Sequence, residues 1–461
     1  MDALTFSEAA AFCGGTLSGA GAGASFAGVS TDTRRIAPGS LFVALKGDRF
    51  DAHDFLDEAI RSGVAGVVVR RGSRPALSGQ IARIEADDTL AALQQIARGY
   101  RGKLPVRTVA ITGSNGKTST KEFTAAVLSK QFATHKTQGN LNNHIGVPLT
   151  ILQLDSHHGA AVIEMGMNHA GELAPLVQIA QPSVGIVTNV GPVHIENFPD
   201  ERGIAEEKAT VARGIPAIGT AIINRDDKWF DVVSRDVRAP VLTFAIDDSS
   251  ATLRASGISV SREGIRYKLH HEGRAYEAFS PVSGEHMVYN AMAGALAGVA
   301  LGMQWDAILA GLAEVKLPGM RMQQSQIHGV HVINDAYNAN PVSMVAGLKT
   351  LKALAGGGTT HAVVGTMYEL GALAEDAHAQ VGREAARLGI SRVYALGEYA
   401  GQIAQGARES GIPARHVYSP ESPRQAAEIL KQQCQPGDHV LIKGSRGAKM
   451  EEVLAAWQEL G

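Results

Sequence analysis

Residues 111–120 read Ile-Thr-Gly-Ser-Asn-Gly-Lys-Thr-Ser-Thr, and this glycine-rich turn decides the fold of the middle of the chain. The apolar run Val109–Thr112 leads into it, and the helical segment Thr118–Lys130 follows. Strand, turn and helix in this order predict a loop whose backbone N–H groups face an anion, with added positive charge from the helix N-terminus. Such a turn can also simply connect a strand to a helix without binding anything. The Gly-Lys-Thr sequence favours a turn that binds a nucleotide phosphate.

In this interpretation the Lys117 ammonium reaches the β- and γ-phosphates and the Thr118 hydroxyl binds Mg²⁺. The pattern departs from G-x-x-x-x-G-K-[ST], because Ile111 stands where the first glycine belongs. The residues of the loop predicted to bind the nucleotide are Gly113, Ser114, Asn115, Gly116, Lys117, Thr118 and Ser119.

Strands and helices alternate beyond the loop. The apolar runs Ala160–Glu164 and Val184–Asn189 each end in polar residues, with helical segments between them. This alternation predicts a parallel α/β sheet that binds its ligands at the carboxyl ends of the strands. A second α/β unit begins near Leu317-Pro318-Gly319. Its predicted strands are Val330–Asp335, Ala362–Gly365, Val393–Leu396 and His439–Lys443.

The first part of the chain has short β-rich runs, such as Ser40–Ala44 and Val64–Arg70, and then a predicted helix at Thr89–Tyr100. A chain of 461 residues is too long for one hydrophobic core. We therefore predict an α/β protein of three domains. They are a small α/β domain at residues 1–83, a central parallel-sheet ATPase domain at 84–316 and a C-terminal Rossmann-like domain at 317–461.

Composition excludes several classes of protein. The formal net charge of -2 provides no general basic field for a nucleic acid, so a small anion must be held by local donors. Cys13 and Cys434 show neither metal-ligand nor disulfide spacing. The N-terminus has no signal-peptide pattern, and no uncharged apolar stretch approaches the ~18 residues that span a membrane. We expect a cytoplasmic protein without membrane insertion.

Around this loop the chain resembles the Mur ligases, the ATP-dependent enzymes that build the peptide stem of bacterial cell-wall precursors. The resemblance extends from Thr31-Asp-Thr-Arg34 to Lys443-Gly-Ser-Arg446, and the family's phosphate loop is Gly-x-x-Gly-Lys-[Ser/Thr], as here. Residues 137–148 (TQGNLNNHIGVP) and 334–341 (NDAYNANP) look like the member that joins D-alanyl-D-alanine to UDP-N-acetylmuramoyl-tripeptide. ATP and Mg²⁺ are the cofactors that the resemblance implies, and a monomer is the expected state.

The resemblance also implies a metal site formed by Thr118, Glu164, His194 and Lys208. A carboxylate suits Mg²⁺, whereas histidine is a less usual ligand. From the residues alone, Glu164 could form a salt bridge at the sheet edge and His194 could be satisfied in a loop. Lys208, in Ala205-Glu-Glu-Lys-Ala-Thr, matches the family's carbamylated lysine, although alone it would be a solvated helix lysine. The predicted catalytic residues are Lys117, Lys208, His194 and Arg321.

Further positions match the family's nucleotide site. Asn290 shares a presumed helix face with His286. Arg321 follows the interdomain hinge predicted near Leu317–Gly319, and it matches an arginine that reaches the ATP phosphates in the family. Asp335 matches the nucleotide-contacting aspartate, with Asn338 and Asn340 beside it. The alternatives are a structural role for Asn290 and Asx-turn chemistry ahead of Pro341, which is compatible with function.

Substrate sites are implied in all three domains. In the first domain, Ser30, Thr31, Asp32, Arg34, Lys46 and Arg49 look like a UDP-sugar site, and solvated loop charge is the alternative. The asparagines expected to face the peptidyl substrate beside the phosphate loop are Asn140, Asn142 and Asn143. The residues expected to engage the incoming dipeptide are Lys443, Ser445 and Arg446.

The expected reaction activates a carboxylate by phosphorylation and then forms an amide. The nearest alternatives are a sibling ligase that adds one amino acid and the related folate-polyglutamylating enzyme, and the segment Asp335–Pro341 argues against both. A phosphate-loop kinase would need no amine substrate. A non-catalytic nucleotide switch would need no metal residues at Glu164, His194 and Lys208.

Overall fold

The computed structural model describes residues 1–19, 23–73 and 81–460. These residues form three successive α/β units, each built on its own principal sheet, which confirms the predicted fold class. Within the described ranges, none of the helices is long and apolar enough to cross a membrane.

The first unit contains a five-stranded sheet in the order β2-β7-β6-β5-β4, of which β4 to β7 run parallel, and a separate β1-β3 pair. Its strands are β1 (Leu4–Thr5), β2 (Thr16–Ser18), β3 (Ser25–Phe26), β4 (Val29–Ser30), β5 (Leu41–Val43), β6 (Gly66–Arg70) and β7 (Ala82–Ala86). Its helices are α1 (Phe6–Cys13), α2 (Leu56–Arg61) and α3 (Thr89–Gly102).

Helix α3 confirms the helix predicted at Thr89–Tyr100 and joins the first two units. It begins after Asp88, whose carboxylate accepts hydrogen bonds from the backbone N–H groups of Leu90 and Ala91. Leu93, Ile96 and Tyr100 are buried on one side of the helix. Since α3 packs against α1 as well as against helices of the second unit, the two units share a hydrophobic core.

The second unit surrounds the phosphate loop. Its strands are β8 (Arg107–Thr112), β9 (Thr134–Lys136), β10 (Ala160–Glu164), β11 (Val184–Val187), β12 (Thr220–Asn224), β13 (Val241–Ala245), β14 (Leu253–Val260), β15 (Ile265–His271) and β16 (Arg274–Ser280). Its helices are α4 (Lys117–Leu128), α5 (Gly146–Ile151), α6 (Leu173–Ala180), α7 (Glu201–Arg213), α8 (Phe230–Ser234), α9 (His286–Ala300) and α10 (Trp305–Ala313).

This sheet has the order β16-β15-β14-β13-β12-β11-β8-β10-β9. Strands β8 to β14 run parallel, as predicted. Strands β14, β15 and β16 form an antiparallel meander that the sequence analysis did not include. Buried and exposed residues alternate along β15, where Ile265, Tyr267 and Leu269 face the core while Arg266 and Lys268 face solvent. Such one-sided burial is typical of antiparallel strands, whereas the buried runs of β10 and β11 are typical of parallel ones.

The third unit has the sheet order β17-β18-β22-β19-β20-β21, in which only the edge strand β17 is antiparallel among the described strands. Its strands are β17 (Gln323–Ile327), β18 (Val330–Asp335), β19 (Thr360–Val364), β20 (Arg392–Ala395), β21 (Val417–Tyr418) and β22 (His439–Lys443). Its helices are α11 (Pro341–Ala355), α12 (Ala374–Arg387), α13 (Ala400–Glu409), α14 (Pro423–Gln433) and α15 (Glu451–Glu459).

Candidate active site

A cavity of about 370 Å³ lies between the second and third units, at the carboxyl ends of β8, β10, β18 and β22. The structure thereby brings together most of the predicted site residues, although they are far apart in the sequence. The predicted residues that line the cavity are Ser114, Asn115, Gly116, Lys117, Thr118, Ser119, Asn140, Asn142, Asn143, Glu164, His194, Asn290, Arg321, Asp335, Asn338, Asn340 and Lys443.

The phosphate loop is held by its glycines and by polar neighbours. Gly116 precedes α4 with a φ of 78°, and a Cβ atom there would lie 2.5 Å from the Asn290 Oδ1 atom. That backbone conformation and that close approach both require glycine. The Asn115 N–H donates to Asn189 Oδ1 at 2.8 Å, which fixes the tip of the loop.

Lys117 folds back over its own loop. Its Nζ atom donates to the Gly113 carbonyl at 2.7 Å. Burial lowers the pKa of the Lys117 ammonium; the Glu164 charge opposes this effect, and the Arg321 charge adds to it. The side chain therefore sits in a cationic cleft where an added anion would offset the repulsion.

Glu164, at the end of β10, is the buried carboxylate of the cavity. Its Oε1 atom accepts a hydrogen bond from Asn142 Nδ2 at 2.8 Å. Its Oε2 atom is buried and has no hydrogen-bond partner among the described residues. A buried carboxylate oxygen without a partner is costly, and oxygen is the ligand that Mg²⁺ prefers. The Glu164 carboxylate therefore fits a bound Mg²⁺ ion.

Lys208 lies on α7 and is buried, in contrast to an ordinary solvated helix lysine. Burial lowers the pKa of its amine well below the usual value, and the nearby Lys117 charge lowers it further. A protonated ammonium has no lone pair for a metal, whereas a neutral amine can react with CO₂ to give an anionic carbamate. Because Mg²⁺ prefers oxygen ligands, Lys208 fits the metal as a carbamate, which offers charged oxygen atoms, better than as an amine.

His194 follows β11 and contacts the third unit directly. Its Nδ1 atom lies 2.5 Å from Glu369 Oε2. Burial lowers the pKa of the His194 imidazole, and the Glu369 charge opposes that shift. The contact has an ion-pair distance but not the geometry of a hydrogen bond. Nδ1 thus faces the carboxylate of the third unit, and Nε2 is the ring nitrogen left for a ligand.

Arg321 also spans the two units. Its guanidinium donates to Thr118 Oγ1 at 3.0 Å and stacks on Tyr337, 3.9 Å from the ring centroid. Asn290 lies on the opposite wall, where its Oδ1 atom accepts a hydrogen bond from Thr120 Oγ1 at 2.9 Å. Asn290 is on α9, four residues after His286, which confirms the predicted shared helix.

Several polar side chains on the third-unit wall of the cavity bind to one another or to the backbone nearby. Lys443 Nζ lies 2.5 Å from Asp335 Oδ2 and donates to the Asn338 carbonyl at 3.1 Å. Asn340 caps the N-terminus of α11 by accepting from the Ser343 N–H. The Asn340 Nδ2 atom also donates to Asn115 Oδ1, so this cap ties the third unit to the phosphate loop.

Asn143, Ser445 and Arg446 are among the predicted substrate residues that have structural partners. Asn143 Oδ1 accepts from the Gly146 N–H at 2.9 Å at the start of α5. Ser445 Oγ donates to the Ala339 carbonyl at 3.2 Å, and Arg446 pairs with Glu451 at 2.8 Å. Gly113, Lys208, Ser445 and Arg446 do not line the cavity.

The candidates in the first unit lie outside this cavity, at the end of β4 and in the segments that follow β4 and β5. Arg34 forms a forked pair with Asp32, with contacts of 2.7 and 2.8 Å. The Arg34 hydrogen bonds hold the pKa of the Asp32 carboxyl at about 2. Ser30 Oγ donates to the Asp32 carbonyl and supports this turn. The Thr31, Lys46 and Arg49 side chains lie in the same loops.

Glu369 and Tyr337, which contact His194 and Arg321, were not predicted from the sequence. Tyr337 lies inside the segment 334–341 that resembles the family, so its place in that segment could have indicated a role in the site. Glu369 follows no predicted strand directly, and only the approach of the two units brings it to His194.

Comparisons with known proteins identify the family of the chain. Three family descriptions match in order: Mur ligase family, catalytic domain (residues 25–101); Mur ligase middle domain (111–298); and Mur ligase, glutamate ligase domain (320–446). The UDP-N-acetylmuramoyl-tripeptide--D-alanyl-D-alanine ligase of Escherichia coli is 38% identical over 100% of both chains.

Solved structures give the same result. The crystal structure of MurF from Acinetobacter baumannii has a TM-score of 0.90 and 30% identity, and the match covers 100% of this chain and 99% of that one. MurF ligase from Thermotoga maritima, solved in complex with ADP, has a TM-score of 0.83 and 26% identity over 94% of this chain and 97% of that one.

Proposed function

The chain belongs to the Mur ligase family, and we propose that it joins D-alanyl-D-alanine to UDP-N-acetylmuramoyl-tripeptide at the expense of ATP. The observation that carries this proposal is the cavity in which the phosphate loop of the central unit meets the segment 334–341 of the third unit. A full-length relative with this activity in its name supports the choice of substrates.

The proposed site has three parts. ATP occupies the phosphate loop, with Lys117 and Arg321 beside the transferred phosphoryl group and Asn290, Asp335, Asn338 and Asn340 around the nucleotide. Thr118, Glu164, His194 and carbamylated Lys208 are the proposed Mg²⁺ residues; when bound, the metal neutralises charge on the phosphoryl oxygens. Asn140, Asn142 and Asn143 are proposed to face the peptidyl substrate.

In the proposed reaction the tripeptide carboxylate attacks the γ-phosphorus of ATP, which releases ADP and leaves an acyl phosphate. The amine of D-alanyl-D-alanine then attacks the acyl carbon, and phosphate departs from the tetrahedral intermediate. A free carboxylate has no competent leaving group, so the first step makes the second possible. Lys117 and Arg321 stabilise the charge that develops during phosphoryl transfer.

The remaining proposals concern organisation. Residues 1–83 are proposed to bind the UDP substrate, 84–316 ATP and 317–461 the dipeptide with Lys443, Ser445 and Arg446; the boundary at 83 falls within β7. Ser30, Thr31, Asp32, Arg34, Lys46 and Arg49 are the proposed UDP-sugar residues. We propose a monomer located in the cytoplasm.

The decisive experiment measures ADP release with ATP, Mg²⁺ and UDP-N-acetylmuramoyl-tripeptide, in the presence and absence of D-alanyl-D-alanine. Dipeptide-dependent release with a pentapeptide product by mass spectrometry is the expected result. Turnover with a single amino acid or a folate instead would keep the ligase chemistry and reject these substrates. ADP release that needs no amine would favour a kinase.

A further inference from the structure

Four of the nine non-glycine residues that have a positive φ in the described part of the chain lie where the third unit contacts the central unit. His194 and Glu369 have φ angles of 58° and 64°, and Met320 and Met322, on either side of Arg321, have 61° and 51°. Residues with a side chain adopt this left-handed region rarely, and they persist there when the surrounding structure holds them. Such outliers cluster at functional sites, which directs attention to the contacts that these residues make.

His194 and Glu369 form an ion pair with each other across the two units. The 2.5 Å contact joins His194 Nδ1 to Glu369 Oε2. The backbone behind the pair is also packed, since a Cβ atom at Gly371 would lie 3.3 Å from the Glu196 Cβ atom. The His194 side chain is 20% exposed and the Glu369 side chain 50%.

We propose that Glu369 is a positioning residue that orients the His194 imidazole when the third unit closes on the central unit. This inference rests on the proposed ligase function and deepens it. Because Nδ1 faces the Glu369 carboxylate at 2.5 Å, the Nε2 atom of His194 is the one left for a ligand in the cavity. A carboxylate on the second nitrogen is a common way to orient a metal-binding histidine.

The origin of Glu369 gives this contact a further consequence. His194 belongs to the central unit and lines the cavity, whereas Glu369 comes from the loop between β19 and α12. The imidazole is therefore oriented only while the two units are in contact. The phosphoryl-transfer site is therefore complete only when the third unit has closed on the central unit.

The test compares Glu369→Ala, Glu369→Gln and the matched control Glu375→Gln. Glu375 is exposed on α12 and carries the same charge in the same unit, without contacting His194. We expect kcat to fall ~10–100-fold in Glu369→Ala, to fall less in Glu369→Gln, whose amide oxygen still accepts a hydrogen bond, and to stay unchanged in the control. KM for the UDP substrate should change less than about twofold, because the first unit is untouched.

A second readout does not depend on turnover. The Mg²⁺-dependent affinity for ADP is measured by calorimetry in a double-mutant cycle of Glu369→Ala with His194→Ala. If Glu369 acts through His194, the loss of affinity caused by Glu369→Ala disappears in the His194→Ala background. Unfolding midpoints of all variants, compared with wild type, separate this effect from loss of the fold.

Two outcomes would overturn the inference: Glu369→Ala behaves like the Glu375→Gln control, or its effect on ADP affinity is the same with and without His194. Failure of the proposed reaction is recognised separately. In that case wild type forms no amide product, while the ADP-binding cycle still decides the role of Glu369.

Discussion

The two walls of the cavity satisfy their polar groups in different ways. On the central wall, Glu164 Oε2 has no hydrogen-bond partner among the described residues, and burial lowers the pKa of the Lys117 ammonium. On the wall from the third unit, Asp335 and Lys443 pair with each other. The carboxylate of the central wall thus has an oxygen without a partner, whereas the carboxylate of the opposite wall is paired with a lysine. Substitutions should therefore reduce activity on the first wall and stability on the second.

The largest effect is expected for Lys117→Ala on the central wall. Removing the ammonium should lower kcat by ~10³-fold, because charge on the transferred phosphoryl group is left unneutralised. The unfolding midpoint should not fall, since a buried repulsive charge is lost. Lys130→Ala, just beyond the end of α4, is the matched control. Substantial turnover by Lys117→Ala would reject the assignment of the phosphate loop.

Glu164→Gln tests the unpartnered oxygen with almost no change of shape. We expect kcat to fall by ~10²-fold and the Mg²⁺ concentration for half-maximal activity to rise, because the amide is a weaker metal ligand. A Mg²⁺ titration of wild type and variant measures both quantities. An unchanged Mg²⁺ requirement would mean that Glu164 does not bind the metal.

Asp335→Asn tests the wall from the third unit and should mainly affect stability. Removing this carboxylate leaves the Lys443 ammonium buried with the Asn338 carbonyl, at a cost of about 3 kcal/mol in the free energy of unfolding. Lys443→Met should cost less, because it removes the more buried member of the pair. Urea unfolding followed by the buried Trp457 reports on this unit.

The fluorescence signal in this experiment must come from Trp457 alone. Trp229 and Trp305 lie in the central unit, so both should be replaced by Phe in wild type and variants before fluorescence is recorded. If Asp335→Asn unfolds at the same urea concentration as its parent, the proposed difference between the two walls is wrong.

The smallest effect is expected in the first unit, at the exposed pair of Asp32 and Arg34. Arg34→Gln should raise KM for the UDP substrate by about tenfold at most, because the site is open to solvent and other donors remain. The unfolding midpoint should not move. Steady-state titration of the UDP substrate checks the prediction, and an unchanged KM would leave this loop without a role in binding.

The local sequence pattern predicted most of the strands and helices, but few of the side-chain contacts between the units. Strands β10, β18 and β22 have the predicted bounds, because each is a short buried run ended by a polar residue. The meander β14–β16 was missed, since its alternation of exposed and buried residues is weak outside β15. The burial of Lys208 and the contact of Glu369 with His194 depend on tertiary packing, so a single sequence could imply the first only by family resemblance.

The cap formed by Asn340 affects the electrostatic field in the cavity. Helix α4 begins at Lys117 and α11 at Pro341, and the contact between Asn115 and Asn340 brings both N-termini to the same cavity. Each N-terminus is equivalent to roughly half a positive elementary charge. Two macrodipoles from different units therefore point into one cavity while the contact between Asn115 and Asn340 is formed. Separating the units would weaken the field there, so we expect a polyphosphate product to be bound less tightly when this contact is broken.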